Sequence, residues 1–379
     1  MTRVFFVGRA ADEFAFGYPR AQAGRFALVA AAAAALHAML VPVAQAQWAA
    51  TSLHQPAWGV SNVFGGGGNQ QAGYATIGPV QHAALWTGTA GSFIDLSPEM
   101  YPESTAYASD GIQQVGSVTV NLEGHASLWS GSAASWVDLN PANSFGSQAN
   151  AVSGGRQGGV AGFGAAGGAH AVLWSGSAAS VVDIHPAVAS SSSVLGMGGN
   201  QQVGSAGIND NLHASLWRGT ADSWIDLNPA NASISIAEGT DGTQQVGGAV
   251  FGGVQMAGIW TGTADSWVSL HPAGASDSYA YDVIMGWQAG MVTIGGQSHA
   301  SVWSSTAQSW VDLHAFLPAG YTSSIAQGIS SDGMTLYVSG VAVSASGPQA
   351  FVWSQPIPAP GVTALLTLVG VLAGRRRRD

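Results

Sequence analysis

The stretch His125-Ala-Ser-Leu-Trp129-Ser-Gly-Ser-Ala-Ala-Ser-Trp136-Val-Asp-Leu-Asn-Pro141 decides the fold, because near-copies of it run through the chain. Its first part recurs as HAALW ending at Trp86, HASLW at Trp129, HAVLW at Trp174, HASLW at Trp217, MAGIW at Trp260, HASVW at Trp303 and QAFVW at Trp353. Successive spacings are 43, 45, 43, 43, 43 and 50 residues, a period that marks propellers or solenoids. After each of the first six copies comes a small-residue turn such as Ser130 to Ser135, then a second strand of the type Trp136 to Pro141. Two shorter strands precede the copy, for instance around Ile112 to Ser117 and Val203 to Ala206. Turns such as Asp110-Gly111, Asp241-Gly242 and Asp332-Gly333 introduce them; Asp-Gly tolerates the unusual φ of tight hairpins. Four short strands in about 43 residues is the content of a propeller blade.

The seventh unit ends at Trp353 and Ser354 without its own final strand. Trp48-Ala-Ala-Thr-Ser-Leu-His-Gln-Pro56 resembles that missing strand and precedes the first complete unit. The predicted fold is therefore an all-β, seven-bladed propeller whose last blade is closed by the N-terminal strand, which leaves no sheet edge unpaired. Six or eight blades, or a stacked solenoid, are the alternatives. The repeated motif resembles the HAF-type extracellular repeat family over nearly all of residues 57 to 354, with the Phe itself present only in Gln349-Ala-Phe351. The resemblance implies an extracellular propeller-like repeat protein and brings no catalytic residues.

Composition agrees with a β-rich globular body. Of 379 residues 47% are hydrophobic and 8% charged, and the 53 glycines suit short strands joined by tight turns. The chain has ten Arg and no Lys, and eight of the ten lie in the termini. Residues 47 to 354 hold two Arg against seventeen Asp and Glu, a formal charge of −15. Nucleic acid is thereby set aside as a partner, since phosphate binding needs clustered cations. With zero Cys there are no disulfides, thiolate metal sites or thiol nucleophiles.

The ends read as addresses. Residues 1–46 carry Arg20 and Arg25, an apolar run from Phe26 to Leu40 and a small-residue site ending at Ala46, the order of a secretory signal peptide. Residues 47–355 form the predicted repeat domain. Residues 356–379 carry Pro358-Ala359-Pro360, an apolar segment from Gly361 to Gly374 and then Arg375, Arg376, Arg377 and Arg378. Fourteen apolar residues make a helix of about 21 Å, shorter than a hydrocarbon core of roughly 30 Å. They suit a transient transmembrane helix oriented by its cations. This tail resembles the PEP-CTERM sorting signal read by exosortases, with Ala359 where Glu is usual. The resemblance implies passage through the inner membrane to the cell surface or extracellular matrix. Signal peptidase and an exosortase-like membrane peptidase are its implied partners, with exopolysaccharide or other surface proteins at the destination.

Periodic histidines invite a chemical reading. His82, His125, His170, His213 and His299 each precede by thirteen residues an aspartate: Asp95, Asp138, Asp183, Asp226 and Asp312. The fifth unit has Met256 and Ser269 instead, and the seventh Gln349 and Ser52, so both members are present or both absent. That pattern predicts a paired contact, with His and Asp directly opposite in a hairpin centred on the small-residue turn. A ring of metal sites would need ligands converging from several blades, and a Ser-His-Asp triad would need a distinctive nucleophile turn. The periodic tryptophans, including Trp136, Trp224, Trp267 and Trp310, read as core between sheets. The non-periodic Trp58, Trp287, Tyr101, Tyr279 and Tyr281 are binding candidates.

Positions that break the repeat read mostly as Gly, Ser and Ala, so neither catalytic residues nor a cofactor is expected. The expected function is that of a non-enzymatic surface or biofilm-matrix protein with a scaffold or adhesion role. The alternative is a carbohydrate-binding or carbohydrate-acting propeller with a site at the axial mouth.

Overall fold

Each repeat folds into a four-stranded antiparallel sheet, and seven such sheets stand among the described residues. The computed structural model describes residues 47–163 and 168–357. The export segment to Ala46 and the tail positions Pro358, Ala359, Pro360 and Arg375 to Arg378 lie outside the described residues. Among those described, no helix is long and apolar enough to cross a membrane.

Blade 4 shows the pattern: Ser192–Gly198, Gln201–Ile208, Asn211–Trp217 and the two-residue Ile225–Asp226 follow one another across the sheet. The first two strands meet in tight turns. In blade 2, Gly111 takes φ 91°, and the Asp110 carboxylate accepts the N–H groups of Ile112 and Gln113 at 3.0 and 2.8 Å. Ile112 therefore lies in the turn, and the second strand begins at Gln114.

The seventh sheet contains Tyr321–Ser331, Thr335–Ser344 and Gly347–Pro356, and its outermost strand is Ala49–Ser52. Ala49 pairs with Ser354 and Ser52 with Phe351, antiparallel. Neighbouring blades share one polar clasp. The backbone N–H of the Ala that follows the periodic His, or Met256 and Gln349 in its place, donates to a Ser Oγ on the first strand of the next blade, as in Ala126 to Ser147 at 3.0 Å. The clasp occurs at all seven junctions, and Ala350 to Ser61 at 3.0 Å joins the last blade to the first.

Apolar packing fills the space between blades. Trp86, Trp129, Trp174, Trp217, Trp260, Trp303 and Trp353 are fully buried. Trp217 of blade 4 sits with Leu173, Ile184 and Val194 from blades 3 and 4. A ring of this size is worth about 3 to 5 kcal/mol against Ala at such a site.

The hairpin register differs from the expectation. Ala84, not His82, pairs with Asp95, and Leu85 pairs with Ile94. The turn residues Ala90–Ser92 wind into a 3-10 turn, which shortens the final strand to two residues and shifts the aspartate's partner by two residues. His82 is thus the diagonal neighbour of Asp95, within reach of a long side chain.

Candidate functional site

The first strand of each blade faces the axis and carries a β-bulge, which leaves one residue out of register. The bulge residues, blades 1 to 7, are Phe64, Tyr107, Asn150, Leu195, Glu238, Tyr281 and Gln327. A bulge re-aims its side chain, and all seven line one axial cavity of about 500 Å³, a volume usual for ligand sites. The sheet requires glycine behind each bulge. A Cβ on Gly204 would stand 1.9 Å from the Ser193 carbonyl oxygen, and Gly73, Gly116, Gly159, Gly247, Gly290 and Gly340 meet the same obstacle at 1.9 to 2.0 Å.

The residue after each bulge is Gly or Ala in six blades, namely Gly65, Ala108, Ala151, Gly196, Gly239 and Gly328. The cause is crowding: a Cβ on Gly196 would lie 2.3 Å from the carbonyl oxygen of Glu238 in the next blade. Blade 6 departs from the rule with Asp282. Its carboxylate accepts the N–H of Val283 at 2.8 Å and that of Ile329 on blade 7 at 2.9 Å. Burial raises its pKa to about 6, against the opposing pull of those two hydrogen bonds and with a further lift from Asp241.

Glu238 accepts the Tyr279 hydroxyl proton at 2.7 Å on Oε1. Burial raises its pKa, and the tyrosine hydrogen bond partly offsets that. Tyr279 lies 4.9 Å from Tyr281, centroid to centroid, and the Tyr281 hydroxyl is pushed up to about 12 by burial and then by Glu238. In a ring of seven, the point opposite blade 5 falls between blades 1 and 2. There Phe64 and Tyr107 stand with centroids 5.3 Å apart. The Oε1 of Gln327 is buried and has no hydrogen-bond partner among the described residues.

The sequence-predicted His and Asp residues lie elsewhere, on the outer half of each sheet. His82, His125, His170, His213 and His299 contact Asp95, Asp138, Asp183, Asp226 and Asp312 through Nδ1 and Oδ2 at 2.7 to 2.8 Å. Each aspartate also uses Oδ1 to accept the N–H two residues on, as Asp138 does from Asn140 at 2.8 Å. In blade 7 Gln349 accepts from the Tyr321 hydroxyl at 2.6 Å instead. No group of three His, Asp or Glu side chains among the described residues is placed to hold a metal ion.

Of the five non-periodic aromatics, Tyr281 lines the axis and Tyr279 supports Glu238. The other three are packing residues: Trp58 lies against Trp86 and Phe93, Trp287 against Trp48, and Tyr101 against Trp136. The indoles of Trp136, Trp224 and Trp310 are half-buried and donate to Ser127, Ser215 and Ser301 at 2.9 to 3.0 Å.

The reading that repeat-breaking positions are mostly small missed the axial ring. A signal existed: in five blades the bulge residue stands 22 positions before the buried Trp, at Phe64, Tyr107, Leu195, Glu238 and Tyr281.

No protein-family model matches the chain, and no curated protein matches it. Solved structures are similar at the level of fold. The β-propeller domain of the Trilobed protease from Pyrococcus furiosus aligns at TM-score 0.53 and 10% identity, over 80% of this chain and 98% of that one. A structure from a study of two prolyl endopeptidases aligns at TM-score 0.53 and 10% identity, over 80% of this chain and 51% of that one. Puromycin hydrolase, as an S511A mutant complexed with PGG, aligns at TM-score 0.51 and 12% identity, over 78% and 53%. The chain thus spans about half the length of the latter two. These likenesses correct the expected function. Propellers of this architecture occur in peptidases, so a regular repeat body does not mark a non-enzymatic surface or biofilm-matrix scaffold. The repeats build the wall, and the seven bulges vary it along the axis.

Proposed function

We propose that this chain is a peptidase-associated propeller, itself non-catalytic, whose axial channel receives an extended polypeptide segment. One observation carries the reading: the sheets repeat almost everywhere, yet the seven side chains on the axis are nearly all different. Repetition suffices for stability, so variety at the axis is the mark of a recognition surface. The solved propellers from peptidases support the class of ligand. Among the described residues the channel lining includes no histidine to serve a nucleophile as base, in keeping with a receiving rather than a cleaving role. The terminal sorting segments support action outside the cytoplasm, after handling by signal peptidase and an exosortase-like peptidase.

The test uses the full chain and three fluorescent, end-capped octapeptides of Gly and Ser, carrying Lys, norleucine or Glu at the centre. At least one should bind by anisotropy. Leu195→Trp, which fills the axis, should weaken that binding at least tenfold, whereas Leu122→Trp on an exposed turn should not. Absence of binding by all three, or binding indifferent to Leu195→Trp, overturns the reading.

A further inference from the structure

Resting on that reading, we infer that the channel selects a cationic side chain, Lys or Arg of the entering peptide, seated between the Glu238 carboxylate and the Phe64–Tyr107 pair. Among the described residues three carboxylates line the cavity, Glu238, Asp241 and Asp282, and no Lys or Arg does. Among the described residues the ion pairs are the five His–Asp contacts of the outer sheets. Among the described residues the channel carboxylates therefore have no cation partner. A half-buried acid without a counter-charge is costly, and a ligand cation supplies one.

The arrangement also has direction. Tyr279 engages one oxygen of Glu238, Oε1, and leaves the other to the ligand. Across the axis the paired rings of Phe64 and Tyr107 line the cavity with aromatic, apolar surface, which suits the cation and its aliphatic stem together. On blade 7, next to the acidic blades, the Gln327 side chain lines the cavity, and its buried Oε1 has no donor among the described residues. An ammonium or guanidinium brings several donors at once. The charge of −15 over residues 47 to 354 draws such ligands toward the molecule from a distance.

The three octapeptides separate this inference from the reading beneath it. The Lys peptide should bind at least tenfold more tightly than the norleucine peptide, and the Glu peptide more weakly than either. Glu238→Gln keeps an acceptor for Tyr279 and should bring the Lys peptide to parity with the norleucine peptide. Should that variant not melt like the parent, the parent alone decides: raising salt should weaken the Lys peptide and spare the norleucine peptide. Equal binding of all three overturns the cation preference and leaves the channel reading intact. Tighter binding of the Glu peptide does the same, and absence of all binding overturns both.

Discussion

At the scale of single residues, the chain places its ionisable groups in two different settings. The five His–Asp pairs sit on the outer sheets, partly open to water, with the aspartate oxygens divided between the ring and a backbone N–H. They fix the short last strand onto the blade. Asp282 sits where every other blade has Gly or Ala, and it pins blade 6 to blade 7 through the Ile329 N–H. Its folded pKa of about 6 lies above the ordinary 3.8. Between those values the folded state holds a proton that the unfolded chain has released, so stability falls as pH rises through that window. The loss due to this group is about 3 kcal/mol at most, complete once pH exceeds the folded pKa. Asp282→Asn should remove this component. Denaturant melts from pH 3.5 to 7 should give a curve lacking that decline, and an unchanged curve would assign the pH dependence elsewhere.

At the scale of elements, the bulge and its opposing glycine form one device. The extra residue brings the first strand so near the second that only hydrogen fits at Gly73, Gly116, Gly159, Gly204, Gly247, Gly290 and Gly340. Gly204→Ala should cost about 1 to 3 kcal/mol through forced backbone movement and should also shift Leu195 off its line to the axis. A melt of the variant, beside Gly91→Ala in an open turn where nothing lies within 4 Å, checks the stability cost, and peptide anisotropy checks the shift at the axis. Strand order, the four-strand blade and the Asp-Gly turns were legible in the sequence because each has a local cause: alternation, period and positive φ. The bulge was not. It arises from pairing between strands, and its residue looks like any variable position until the repeats are aligned on Trp86 and its counterparts. The hairpin register escaped for a related reason, since the 3-10 turn at Ala90–Ser92 consumes residues that a symmetric loop would leave in the strands.

At the scale of the whole molecule, seven equivalent clasps distribute stability evenly, and one sheet is built from both ends of the described chain. Deleting Gln47 to Pro56 removes Ala49–Ser52 and the buried Trp48 and Leu53, exposing the edge of Gly347–Pro356. The melting temperature should fall well below that of a variant lacking an exposed loop of equal length, with aggregation on standing. Equal melting temperatures would show that the added strand contributes nothing to stability.

The pairing of Ala49–Ser52 with Gly347–Pro356 also sets an order in time. These strands are separated by nearly the whole described chain, so the sheet they share is the last that synthesis can complete. Until residue 356 emerges the molecule is an open arc of six blades with a bare flank at either end. Joining ends so remote is slow, because the entropy of bringing them together is lost before any contact compensates it. During that interval the sheet itself offers no defence against sticking to a neighbouring copy. Like-charge repulsion does, and the seventeen carboxylates set against two arginines between residues 47 and 354 keep nascent copies apart while the ring is still unfinished.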